Sequence, residues 1–407
     1  MARTFEMIRV ALTAIWANKL RSLLTVLGNV VSVMSIIAVV SLIQGVNATV
    51  SETIVSQVGA DSFSVQRVGI ITSQDELEEA RRNPRVTLAD AEAIQRFSPL
   101  VDAIMAQARR RGEVRYRDQL LESVAIQGVS RDYVSFPQFD AERGRLITPS
   151  EVDRKRGVTV LGWATADRLF GQADPLDRLV KIQGVHFRVV GVSEPKGSVF
   201  GQSQDEFAII PLGVYQKLFG ALQSLTLTVR PPDPAVMPRA MDDATVALRI
   251  QRRLKPSAED NFGIFTSDTI LAIYEQATRG IFAVLVGIVA LSLVVGGIVI
   301  MNIMLMVVTE RTREIGLRKA LGARRRDIIW QILAESVTLS TLGGLVGTVF
   351  GVAVALALAA VTPLPTAVHL WSVVLGISIT AIVGMFFGLY PAARAARLDP
   401  IEALRRD

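Results

Sequence analysis

Four long apolar stretches divide the chain, and the segment between the first and second has a different character. The first covers residues 23–47, of which Leu23 to Val46 gives 24 residues without a charge. That is roughly 36 Å of helix at 1.5 Å per residue, enough to cross a hydrocarbon core of about 30 Å. The second lies within 276–308, where Ile281 to Val308 gives 28 residues. At roughly 42 Å of helix it must tilt or project beyond the hydrocarbon. The third covers 328–361 and the fourth 370–391, with Pro391 expected to end it. Residues 1–22 set Phe5, Ile8, Leu12, Ile15 and Trp16 at helical spacing, with Arg9 and Lys19 among the polar positions. This predicts a basic amphipathic helix lying in the interface plane. Ser267 to Arg279 is also helical in pattern, capped by Ser267 or Asp268, and is expected to run into the second span as one rigid helix.

Residues 48–275 alternate instead with the short period of strands. Thr87 and Asp90 form a capping box that opens a helix from Leu88 to Phe97. Strands are expected at Val101–Ala108, Glu113–Arg117, Ser123–Gly128, Thr159–Leu161, Glu206–Pro211 and Leu225–Arg230, with a helix at Trp163–Phe170. Leu179–Gln183 and Val185–Val192 read as a hairpin around Gly184. The Pro231-Pro232-Asp233-Pro234 run breaks the pattern, and the helix after it, Ala235–Leu254, suggests a second lobe. The predicted fold class is a polytopic α-helical membrane protein. It has four transmembrane helices and a large α+β extracytoplasmic domain between the first and second.

Composition agrees. Half the residues are hydrophobic, yet 20% are charged, a combination that fits a membrane protein with a sizeable aqueous domain. The net charge of +6 resembles a nucleic-acid signal until it is divided. Residues 48–275 hold 28 basic and 30 acidic residues, and the remainder holds 16 and 8. The positive excess therefore sits beside the spans, where cytoplasmic loops carry it, and no nucleic-acid partner is implied. The link 362–369 has no Lys or Arg, whereas the tail 392–407 has four arginines. Both termini are thus expected in the cytosol and the large domain outside. Cysteine is absent, so the aqueous domain holds together without disulfides, and the redox compartment stays open.

The segment 309–327, TERTREIGLRKALGARRRD, carries seven Arg or Lys residues between the second and third spans. The positive-inside rule places it in the cytosol. Ile315, Leu317 and Leu321 supply apolar anchors, and Gly316 and Gly322 open turns. The pattern reads as a short helix along the inner membrane face, able to dock on a cytosolic partner; the same charges also serve topology and anionic lipid. Gly343, Gly347 and Gly351 share one face of the third span, and Gly384 and Gly388 repeat the spacing in the fourth, so both faces admit close helix packing. Asn29 and Asn302 are candidates for hydrogen bonds between spans, and Glu335 for an ion pair with Arg325 or Arg326. No row of ionisable residues suggests a proton or ion path. The sequence has no G-x-x-x-x-G-K-S/T loop, no G-x-S-x-G elbow, and only His186 and His369, without ligand-like neighbours. No catalytic, cofactor-binding or metal residue is assigned.

Asn18 to Gly45, Thr309 to Ile328 and GLYPAARAARLDPIEALR at Gly388 to Arg405 resemble the MacB/FtsX-type permeases of bacterial ABC transporters. Within the outer domain, Gly144–Thr148, Val158–Leu176, Ile182–Val192 and Glu206–Leu212 are similar to the MacB-type periplasmic domain. Asp177 departs from the glycine often found before that strand. The resemblance implies a bacterial inner-membrane permease subunit that is not itself an enzyme. A second permease copy and separate cytoplasmic ATPase subunits would complete it, with ATP and Mg on those subunits and none bound here. It places the ATPase-docking helix at Glu314, Ile315, Gly316, Leu317, Arg318, Lys319, Leu321 and Gly322, with Ile315, Leu317 and Leu321 as its apolar face and Arg318 and Lys319 as its charged rim. ATP-driven movement would then pass to the periplasmic domains for export or expulsion of a substrate, with a membrane-fusion adaptor and an outer-membrane channel as possible further partners. Residues 73–85 and 194–205 are candidate contact loops. FtsX-like mechanotransmission to a cell-wall hydrolase, or lipoprotein extraction, would use the same architecture.

Overall fold

The computed structural model describes residues 19–69, 74, 78, 80–199, 201–363 and 365–405. Most of the expected N-terminal helix and much of the 73–85 loop lie outside the described residues. The chain divides into two compact units, Val50–Glu275, and Met1–Thr49 together with Gln276–Asp407.

The Val50–Glu275 unit is built on one ten-stranded sheet. Its strands are β1 (Phe63–Gln66), β2 (Ala103–Tyr116), β3 (Gln119–Val129), β4 (Ala141–Gly144), β5 (Val158–Leu161), β6 (Leu179–Ile182), β7 (Val185–Ser193), β10 (Phe207–Pro211), β11 (Thr226–Arg230) and β12 (Gly263–Thr266). A separate small hairpin joins β8 (Ser198–Val199) to β9 (Gln202–Ser203). The main sheet runs β12-β1-β11-β2-β3-β10-β5-β7-β4, with β6 pairing both β2 and β7. Period-two alternation buries both faces. Ile104 and Ala106 of β2, with Ala208 and Ile210 of β10, join the larger core. Their neighbours Ala103, Met105, Phe207 and Ile209 face a second core around Tyr133, Phe136 and Ile147.

Three expected strands merge into two. β2 and β3 pair antiparallel along most of their length, with a register shift between Gly112 and Val114. The polar run Arg109–Arg111 reads as a break because its side chains are exposed, yet backbone pairing carries the strand through. The expected second lobe is corrected as well. Pro234–Val236 is a 3₁₀ turn, and the helix after it, Met237–Gln251, buries Ala240, Ala244, Ala247 and Leu248 in the larger core. Its proline-rich start interrupts secondary structure without separating a core. The capping box holds as read: Thr87 N donates to Asp90 Oδ2 at 2.8 Å and opens the helix Leu88–Phe97. β6 and β7 form the expected hairpin, with Gln183 and Gly184 both at positive φ (49° and 80°) as a tight two-residue turn requires. Asp177, standing where glycine was expected, takes φ 57°, a conformation that short polar side chains tolerate.

The other unit holds helices long and apolar enough to cross a membrane, identified by length and composition: Leu27–Ser56, Ser267–Glu310, Arg325–Val361 and Leu370–Ala396. The first is part of α1 (Lys19–Val58), and Ser267–Glu310 is one unbroken helix of 44 residues. Pro391 does not end the last of them. The helix continues to Ala396, with Pro391, Ala392, Ala395 and Ala396 all buried, so packing at this end outweighs the lost N–H.

The glycines of the third span face α1. A Cβ built at Gly343 would meet Asn29 Nδ2 at 2.9 Å, one at Gly347 would meet the Val30 carbonyl oxygen at 2.8 Å, and one at Gly351 would meet Ile37 Cβ at 2.8 Å. Cβ atoms at Gly384 and Gly388 would fall within 2.6 Å of Ser340 and 2.7 Å of Ser336 respectively. Side chains close the same seams, since small residues let backbones approach and polar groups bridge them. Asn29 Nδ2 donates to Ser340 O at 2.6 Å and Ser336 Oγ to Gly384 O at 2.8 Å, while Ser32 Oγ donates to Ser292 O at 2.9 Å between the first and second spans. Asn302, expected to bond between spans, is exposed instead.

Candidate functional site

The second span ends at Glu310 and the chain turns at Arg311 into a nine-residue helix, Thr312–Ala320. Thr312 Oγ1 donates to the carbonyls of Val308 (3.1 Å) and Thr309 (2.8 Å), holding the turn. The far end closes as a Schellman motif: Gly322 sits at φ 99°, its N–H donates to Lys319 O at 3.1 Å, and Ala323 N donates to Arg318 O at 3.0 Å. Arg324 N then donates to Asp327 Oδ2 at 3.0 Å, capping the third span. The helix Thr312–Ala320 is therefore a defined element, punctuated at both ends by its own sequence.

Its two sides do different work. Ile315 is 5% exposed and packs with Ile300, Met304, Val308, Ile328 and Ile332. It belongs to the inner end of the bundle and is withdrawn from the apolar docking face. Lys319 is likewise withdrawn from the charged rim. Its ammonium donates to Ala396 O at 3.1 Å, a carbonyl in the last turn of the fourth span that helix geometry leaves short of partners, and to Leu398 O just beyond the helix. Gly316 opens no turn but lies buried within the helix. A Cβ there would lie 2.6 Å from Ala403 Cβ, so its bare backbone accepts the last helix, Pro400–Arg405. The outward side keeps Leu317 at 53% and Leu321 at 80% exposure, with Arg313, Glu314 and Arg318 exposed around them. Glu335 pairs with Arg311 at 3.6 Å. Its expected partners Arg325 and Arg326 are exposed in the first turn of their helix.

The sequence reading missed the terminal helix as part of this site. Its signal is Asp399-Pro400, a cap followed by the proline favoured at the first helical position. Ile401 N donates to Asp399 Oδ1 at 2.8 Å, Ala403 is 3% exposed against Gly316, and Ile401 is 78% exposed. Among the described residues no group of three or more His, Cys, Asp or Glu is placed to hold a metal ion. The candidate contact loop 194–205 contains the β8–β9 hairpin, pinned by buried Asp205, which accepts from the N–H groups of Lys196 (2.8 Å) and Gly197 (2.9 Å).

Two family descriptions match the chain: the MacB-like periplasmic core domain over residues 22–247, and the FtsX-like permease C-terminal region over residues 280–400. Among curated proteins, "Macrolide export ATP-binding/permease protein MacB" of Bdellovibrio bacteriovorus is 35% identical over 393 residues, covering 96% of this chain and 60% of that protein. The protein of the same name from Chlorobaculum tepidum is 36% identical over 396 residues, covering 97% and 60%. The chain thus spans about 60% of the length of these relatives. Among solved structures, the periplasmic region of MacB from Actinobacillus actinomycetemcomitans matches with a TM-score of 0.45 and 19% identity, over 54% of this chain and 95% of that one. The chain belongs to the MacB/FtsX-like family of ABC transporter permeases, with a MacB-like periplasmic core domain set between its first and second spans.

Proposed function

We propose that this chain is the permease part of a MacB-type transporter, driven by ATP hydrolysis on a cytoplasmic ATP-binding partner that carries the Mg–ATP. The partner grips the outward side of helix Thr312–Ala320. Leu317 and Leu321 are its apolar anchors, Arg313, Glu314 and Arg318 its charged rim, and Ile401 lies on the neighbouring terminal helix. Both termini lie in the cytosol and the MacB-like domain in the periplasm of the inner membrane. A second permease copy, a periplasmic adaptor and an outer-membrane channel complete the path for an expelled substrate, and a macrolide, named for the relatives, is the first to try. No residue of this chain does the hydrolysis.

The observation that carries this reading is an exposed apolar pair on a helix whose other side is fixed to the bundle. A surface Leu standing alone needs no explanation, but two on one short cytoplasmic helix suit an anchor in a partner's groove. The test is Leu317→Asp with Leu321→Asp, reconstituted with the cognate ATP-binding protein. The double variant is expected to fold as before and lose about tenfold or more of its effect on ATP turnover, since each anchor is worth about 1–2 kcal/mol. Full coupling in the double variant would overturn the assignment.

A further inference from the structure

The MacB-like domain carries a cavity of about 400 Å³ where β5 and β7 meet the segment after β4. That volume suits a small ligand. Its walls bring together Arg145, Arg154, Arg156 and Arg188 with only Glu151 and Asp177 against them. Arg145 is already engaged, donating to Glu151 at 2.7 and 2.8 Å. Among the described residues Arg154, Arg156 and Arg188 make no ion pair. Four guanidiniums against two carboxylates leave two positive charges uncompensated.

The backbone sets where these side chains leave the chain. Lys155 at φ 51° makes the turn that sets Arg154 and Arg156 on either side of it. Arg156 N donates to Glu151 O at 2.9 Å, and Arg188 N donates to Gly157 O at 2.9 Å. Strand alternation buries Phe187 and Val189 and turns Arg188 outward. Asp177 N donates to Val189 O at 2.9 Å, which holds its carboxylate at the cavity.

We propose that this cavity binds a phosphate monoester carried on a hydroxylated backbone, the glycerol phosphate or sugar phosphate class. The dianion matches the two uncompensated charges, and guanidinium forks fit phosphate oxygens through paired hydrogen bonds. Asp177 supplies selectivity. Its carboxylate accepts a hydrogen bond from a ligand hydroxyl, a contact that inorganic phosphate lacks a backbone to make. The same chemistry is offered by a soluble metabolite and by a lipid headgroup.

The experiment titrates the full chain in nanodiscs with glycerol 3-phosphate, inorganic phosphate, glycerol and short-chain lysophosphatidic acid. Saturable binding of glycerol 3-phosphate is expected, without binding of glycerol. Arg156→Gln with Arg188→Gln should weaken it by about tenfold or more, as two charge-assisted contacts are lost, with an unchanged melting temperature. Arg154→Gln is the second variant should the double variant melt early. Asp177→Gly, which removes the acceptor at a position of φ 57° that glycine adopts freely, should erase the preference for glycerol 3-phosphate over inorganic phosphate. Tighter binding of the lysolipid assigns a headgroup, and equal binding assigns a soluble solute. The proposal is overturned by absence of saturable binding, by equal displacement with chloride at matched ionic strength, or by unchanged binding in folded arginine variants.

Discussion

The ammonium of Lys319 lies 3.1 Å from the carbonyl oxygen of Ala396, joining helix Thr312–Ala320 to the end of the fourth span. A force applied to Leu317 or Leu321 would therefore reach three spans: the second through the turn at Arg311, the third through the cap at Arg324, and the fourth through Lys319. Lys319→Met keeps the stem and removes the donor. It should cost about 1–2 kcal/mol and speed amide exchange over residues 394–403. Arg318→Met, on the outward side, should leave that exchange unchanged.

Gly347→Val should be among the most damaging single changes in the bundle. Its Cβ would fall 2.8 Å from the Val30 carbonyl oxygen and 2.9 Å from Val33 Cβ. Overpacking of this kind costs about 1–3 kcal/mol. Gly280→Ala is the matched control, because a Cβ there meets nothing within 4 Å and the change favours helix by up to ~1 kcal/mol. Melting temperatures in detergent separate the two, and equal melting would refute the packing role of the seam.

Asp90 caps its own helix and pairs with Arg252 at 3.2 Å, both side chains under 10% exposed. Arg252 also donates to the backbone oxygen and Oδ1 of Asn261, both at 2.9 Å. Asp90→Ala strands a buried guanidinium and should cost about 3–5 kcal/mol in the MacB-like domain. Chemical denaturation is the measure. A loss under about 1 kcal/mol, the worth of the cap alone, would show that Arg252 finds another partner.

Acid should loosen the edge of the sheet near Thr148. The guanidinium of Arg145, helped by the N–H and hydroxyl of Thr148, holds the Glu151 carboxyl down at about 2 from an ordinary 4.5. A lowered carboxyl stabilises the folded state above its unfolded value, and that contribution fades as pH falls from about 4.5 through 2. Protection of the 148–156 amides, their exchange relative to the unstructured rate at the same pH, should fall over that window in the native chain. In Glu151→Gln protection should be lower at neutral pH and flat with acid.

Where local chemistry and tertiary context point the same way, the elements read directly. Thr87 and Asp90 mark a helix start, Gln183-Gly184 marks a tight turn, and the glycine spacing from 343 to 351 marks a helix face. Errors arise where context overrules. Arg109–Arg111 looks like a loop because exposed arginines break the hydrophobic alternation, yet ladder bonds to β3 keep the strand going. Pro391 looks like a stop, yet Ala392, Ala395 and Ala396 are buried beyond it. At helix Thr312–Ala320 the sequence located the element but not its orientation. Ile315 and Leu317 are equally apolar and two positions apart, and only the packing decides that the first faces inward. Lys319 owes its role to the end of the fourth span and Gly316 to the terminal helix, both some 80 residues downstream, and neither could be assigned from the local sequence.

The glycine seam also limits how the first and third helices can slip past one another. Bare backbone faces Asn29, Val30 and Ile37 at every fourth position of the third helix, while Leu345, Val346 and Val349 point away from the seam and are exposed. Val33 and Ile37 of the first helix seat directly on Gly347 and Gly351. Any slip along the axis would lift these branched side chains off bare backbone, so a stroke of one helix is expected to carry the other with it.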